Sequence, residues 1–142
     1  MRVLSMSRCI GASLALLLLS QGGPSNAAGA ARPIQPAPIC RDIQEDMTSG
    51  QECLLPSGTL QSVYRDIVSR RLVRDSHCLL RELPSASTRV KGCKNSGGLL
   101  GVEYGISDGA VEIDMAYAGG ISTIELERKA DGVRRKITHS AD

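Results

Sequence analysis

Between Ala110 and Tyr117 the chain alternates: Val111, Ile113, Met115 and Tyr117 are apolar, and Glu112, Asp114 and Ala116 fall between them. A period of two belongs to a strand with one dry and one wet face, because successive side chains point to opposite sides. Ile124 and Leu126 continue the dry face, with Thr123, Glu125 and Glu127 on the wet one. The runs LLGVEYGI, AVEIDMAYA, ISTIELER and VRRKIT are joined by Ser107-Asp108-Gly109, Gly119-Gly120 and Ala130-Asp131-Gly132, all signals for tight hairpin turns. The pattern predicts an antiparallel meander.

Upstream the period changes. In LQSVYRDIVSRRLVRD, Leu60, Val63, Tyr64, Ile67, Val68 and Leu72 recur at helical spacing, with Gln61, Arg65, Asp66, Ser69 and Arg70 on the opposite face. Ser57 or Thr59 is placed to cap the first turn, and Arg70, Arg71 and Arg74 suit the negative end of the helix dipole. HCLLREL and TRVKGC read as two short strands around a turn at Pro84-Ser85-Ala86-Ser87. CRDIQEDMTSGQEC, from Cys40 to Cys53, sustains no period and reads as a loop or one short helical turn. The expected fold is α+β: an antiparallel β-meander of about five strands with one covering helix, stabilised by disulfides.

The N-terminus changes the charge picture. Arg2 and Arg8 precede an apolar run from Ile10 to Leu19, followed by a polar segment ending in small residues, the order of a secretory signal peptide over residues 1–30. The run is shorter than the roughly 20 residues a membrane helix needs, and Cys9 precedes it. The expectation is a soluble periplasmic or secreted protein without a membrane anchor. Residues 31–39, ARPIQPAPI, read as an extended proline- and alanine-rich leader, and 40–142 as one small domain. Removing Arg2 and Arg8 from the 17 basic residues leaves 15, equal to the 15 acids, so the domain is formally neutral and nucleic acid is not an expected partner.

Four cysteines remain beyond Cys9: Cys40, Cys53, Cys78 and Cys93. With no Trp or Phe and three Tyr, the core lacks the large aromatic groups, and covalent closure is the remedy small exported domains use. Three pairings are possible. A turn centred between Ser85 and Ala86 sets Cys78 opposite Cys93, at a Cα spacing near the roughly 5.5 Å a disulfide accepts, and sets Glu82 opposite Arg89. By elimination Cys40 pairs with Cys53.

Cys53-Leu54, the bracket Cys78 to Cys93 and the run GVEYGISDGAVEIDMAYAGG give residues 43–138 a resemblance to a bacterial family of small exported proteins of unknown function. That family usually has a tryptophan in its first mature strand and a late cysteine; this chain has neither, and Cys40 is the candidate replacement for the missing partner of Cys53. The resemblance implies a fold and a compartment and no reaction.

Candidate chemistry is sparse. His77 and His139 are the two histidines; a zinc site wants three or four ligands, and His139 falls in a C-terminal tail expected to fray. Adjacent residues of a strand point to opposite faces, so Ser76-His77-Cys78 does not read as a nucleophile and base. No nucleophile elbow, phosphate loop or cofactor motif is present, and no cofactor is expected. Glu112, Asp114, Glu125 and Glu127, with Glu103 nearby, should share a sheet face. That face is either a solvated surface open to a partner or, less simply, the paired acids of a hydrolase. The expected function is noncovalent binding of an unidentified protein or small ligand in the cell envelope, as an accessory or inhibitor module. The alternatives are a cell-wall glycan or peptide hydrolase using the sheet carboxylates, and a structural envelope component.

Overall fold

A computed structural model describes residues 36–142; the segments read from the sequence as a signal peptide (1–30) and most of the leader lie outside the described residues. The domain is one seven-stranded antiparallel sheet with a single helix across one face. Strands β1 (Ile39–Glu45) and β2 (Thr48–Leu55) form a hairpin at one edge. Helix α1 (Leu60–Arg70) then crosses the inner face. A 3-10 turn (Ser76–Cys78) leads to β3 (Thr88–Lys91) at the opposite edge. The chain returns as β4 (Leu99–Ser107), β5 (Ala110–Tyr117), β6 (Gly120–Lys129) and β7 (Gly132–Ala141), in the order β1-β2-β7-β6-β5-β4-β3. The last strand therefore docks against β2 and joins the first hairpin to the meander.

The helix forms where its spacing predicts. Thr59 caps it, accepting from the Ser62 amide at 3.1 Å while the Ser62 hydroxyl accepts from the Thr59 amide at 2.9 Å. Val63, Tyr64 and Ile67 are its buried face. It stops at Arg70 because Arg71 turns left-handed (φ 55°) and donates its N–H to the carbonyls of Ile67 and Val68. Against it lie Val102, Tyr104, Val111, Ile113, Met115, Ile124, Leu126, Val133 and Ile137, the dry positions of four consecutive strands. Gly132 holds the β6–β7 turn at φ 149°, and a Cβ there would run into the backbone of Leu55 and Pro56.

Three expectations are corrected. The segment Cys40–Cys53 is no loop but the β1–β2 hairpin, turning through Asp46-Met47 with Asp46 at φ 34°. That hairpin adds two strands, so the sheet has seven rather than about five even though His77–Leu83, expected as a strand, forms none. Tyrosine hydroxyls take the backbone groups of Leu80 that a ladder would need: Tyr64 donates to its carbonyl at 2.6 Å, and its N–H donates to Tyr104 at 2.9 Å. β3 pairs with β4 instead. Arg89 then meets Glu103 at 2.5 Å, and Glu82 meets Arg65 at 2.7 Å, replacing the expected Glu82–Arg89 pair. Finally, the tail does not fray within the described residues, since β7 carries His139 in its ladder.

Both disulfides join the expected partners. Cys40 and Cys53 lie directly opposite in the β1–β2 ladder, Cα atoms 4.0 Å apart. Cys78 and Cys93, 5.4 Å apart, tie the 3-10 turn to the loop after β3 rather than two strands of one hairpin.

Candidate functional site

Alternation along β5 and β6 sends Glu112, Asp114, Glu125 and Glu127 to the face opposite α1, as expected, and antiparallel register places Glu112 opposite Glu125 and Asp114 opposite Thr123. Two of the four are consumed by cations on neighbouring strands. Glu125 accepts from Lys136 at 2.8 Å, and Glu127 accepts from Lys129 at 2.6 Å and pairs with Arg134 at 2.7 Å. Arg134 also holds Glu52 at 2.9 Å, and Glu52 meets Arg41 at 2.5 Å, so one lattice of alternating sign runs from β6 to the sheet edge.

The lattice sets its own protonation. The Arg134 bond, then that of Arg41, holds the Glu52 carboxyl below the ordinary range, and Lys129, then Arg134, does the same for Glu127. Arg134 is pushed up, chiefly by its bond to Glu52. A general acid needs the opposite shift. Glu112 and Asp114 differ: neither has a cationic partner among the described residues, and Asp114 accepts only from the Thr123 hydroxyl at 2.7 Å.

Two residues along β5 from Asp114 the ladder slips. Leu99 opposes Tyr117 while Gly101 opposes Ala116, so Leu100 is the extra residue of a β-bulge. Its side chain is turned out to solvent and is 64% exposed. With Ala116 and Ile121 it lines a hollow of about 340 Å³ rimmed by Asp114, Glu103 and Arg89. Since Arg89 neutralises Glu103, the apolar floor lies beside one uncompensated carboxylate, Asp114, a place for an apolar side chain flanked by positive charge.

The histidines stand elsewhere. Because residues 76–78 form a 3-10 turn and no strand, the His77 Nε2 comes within 3.5 Å of the Cys78 Sγ, and His77, Cys78 and Cys93 cluster together. Both sulfurs of that cluster belong to the disulfide. His139 faces the inner side beyond the end of α1, its Nδ1 2.7 Å from the Ser122 hydroxyl, in an open cleft of about 330 Å³ reached by Arg74 and Tyr117. Ser122 is 5% exposed and lines the same cleft. This pair escaped the sequence because it depends on the β6–β7 register. Arg135, also on the inner face, is buried beside Asp66 (3.8 Å) and the Cys53 Sγ (3.3 Å), and burial lowers its basicity.

No family model, curated protein or solved structure matches the chain.

Proposed function

We propose that the protein is an exported recognition module, an accessory or inhibitor that binds a protein partner noncovalently on the outer face of the sheet between β4 and β6. The observation that carries this reading is the bulge that places Leu100, 64% exposed, beside Ala116 and Ile121 on the outer face of the sheet. Bulges re-aim side chains beside sites of function, and a large exposed Leu stabilises nothing in its own fold. Its neighbour Asp114 keeps its charge free of internal cations, so the complementary segment is apolar and basic. The two disulfides suit an oxidising compartment, such as the periplasm or the exterior, and no described helix is long and apolar enough to cross a membrane.

The experiment is capture from envelope extract by the wild type and by Leu100→Ser and Asp114→Asn variants, with affinity for the identified partner measured by calorimetry. Loss of binding in both variants at unchanged fold is the expected result. Hydrolysis of a cell-wall substrate that one change at Glu112, Asp114, Glu125 or Glu127 abolishes, with folding and binding intact, would replace this reading with the hydrolase.

A further inference from the structure

The two edges of the sheet are unequal. β3 is four residues long and bears Arg89 and Lys91, the charges that commonly discourage edge pairing. β1 is seven residues long, ICRDIQE, contains neither Lys nor Pro, and is covalently held to β2 through Cys40–Cys53. A strand fixed in this way is a preorganised template for another strand.

The side chains of β1 indicate which strand fits. A two-fold axis normal to the sheet keeps outer faces together, so it must pass through a residue for like-facing positions to oppose each other. Through Arg41 or Asp42 it sets a charge against its own copy, and through Gln44 it sets Asp42 against Asp46. Through Ile43 it sets Ile43 against Ile43, Arg41 against Glu45 twice and Asp42 against Gln44 twice. The same register brings Ile39 level with Met47, two of the most exposed large apolar residues described, at 70% and 60%. Glu45 has no cationic partner of its own among the described residues, and the Arg41 side chain, 77% exposed beyond its bond to Glu52, retains N–H donors.

We propose that a second copy of this chain pairs on β1, antiparallel about Ile43, joining the two seven-stranded sheets into one. Each Leu100 lies five strands in from the shared β1 edge, so the two hollows sit roughly 50 Å apart along the joined sheet.

Sedimentation equilibrium on the oxidised full chain as exported tests this over a dilution series. The wild type should show a monomer–dimer equilibrium, and concentration should protect β1 amides from hydrogen exchange. Arg41→Glu and Glu45→Arg should each weaken association roughly tenfold, by setting like charges across two cross-strand pairs. Mixing the two variants should restore it, because opposite charges again face each other at every 41/45 pair. Ile43→Lys should give monomer, with circular dichroism and intact disulfides verifying the fold. A monomer at every concentration, a dimer indifferent to all three substitutions or protected at β3 instead, or a mixture no stronger than its folded components would overturn the proposal.

Discussion

The hydroxyl groups of Tyr64 and Tyr104 lie 3.2 Å apart in the core, and together they satisfy both backbone polar groups of Leu80. Tyr64 gives its proton to the Leu80 carbonyl, so Tyr104 must donate to Tyr64 while accepting from the Leu80 N–H. The rings meet edge to face, with centroids 6.5 Å apart. The helix, the β4 strand and the irregular segment before β3 are locked by this one ring of bonds.

Tyr64→Phe should therefore leave the Leu80 carbonyl without its donor and the Tyr104 O–H without its acceptor, though Tyr104 still accepts from the Leu80 N–H, and cost about 1–3 kcal/mol. Tyr104→Phe strands the Leu80 N–H at a similar cost. The double variant should lose less than the sum, since both act on one residue, and thermal unfolding of the three proteins measures the difference.

Alkaline pH probes the same contact. Burial pushes the Tyr64 phenol up first, with the Tyr104 bond adding to it, and burial also raises Tyr117. A folded pKa above the unfolded value near 10 leaves stability intact below about pH 10 and removes it as pH rises further. The wild type should weaken on that limb, and Tyr64→Phe should show a shallower slope that Tyr117 keeps from vanishing.

How far the fold was legible follows from where water reaches. Val111, Ile113 and Met115 alternate with polar residues because one face of β5 packs against the helix, and glycine turns mark the hairpins around them. β1 has no dry face, its positions being exposed except for Ile43, which is half-buried, so polarity had nothing to alternate against. Its turn at Asp46-Met47 uses neither Gly nor Pro. Leu79-Leu80 read as strand because only the distant tyrosines distinguish them from one. The outer-face acids were legible, their cations less so, because Arg134 and Lys136 reach them only through register. One trace of the hollow did stand in the sequence: the doublet Leu99-Leu100 breaks a period of two where the bulge occurs.

Non-reducing peptide mapping should recover Cys40 joined to Cys53 and Cys78 joined to Cys93. Replacing either pair by serine should cost about 2–4 kcal/mol, mainly through the unfolded chain. The two losses should differ in place: without Cys40–Cys53 hydrogen exchange should accelerate in β1, and without Cys78–Cys93 in the segment from Ser76 to Lys91.

Acid should weaken the outer lattice. Glu52 and Glu127 have folded pKa values depressed by Arg134, Arg41 and Lys129, so their contribution is present above the ordinary carboxylate range of about 4 and is lost as pH falls through the depressed values. Arg134→Met should flatten this acid limb, more through Glu52, whose largest perturbation is Arg134, than through Glu127, whose largest is Lys129. Salt of about 1 M should flatten it too, since these pairs face solvent. Urea unfolding across the pH range reads both effects.

Leu100 and Leu126 separate function from folding. Leu126 is 1% exposed on the dry face of β6, and its replacement by Ala should cost about 2–5 kcal/mol through the cavity left under α1. Leu100 is of the same residue type but 64% exposed, and Leu100→Ser should leave stability within about 0.5 kcal/mol. If the outer face binds a partner, the ranking reverses on the binding axis: Leu100→Ser abolishes capture, while folded Leu126→Ala retains it. Equal binding by wild type and Leu100→Ser, measured on the same partner by calorimetry, would remove the outer hollow from the function and leave the bulge as a feature of the sheet alone.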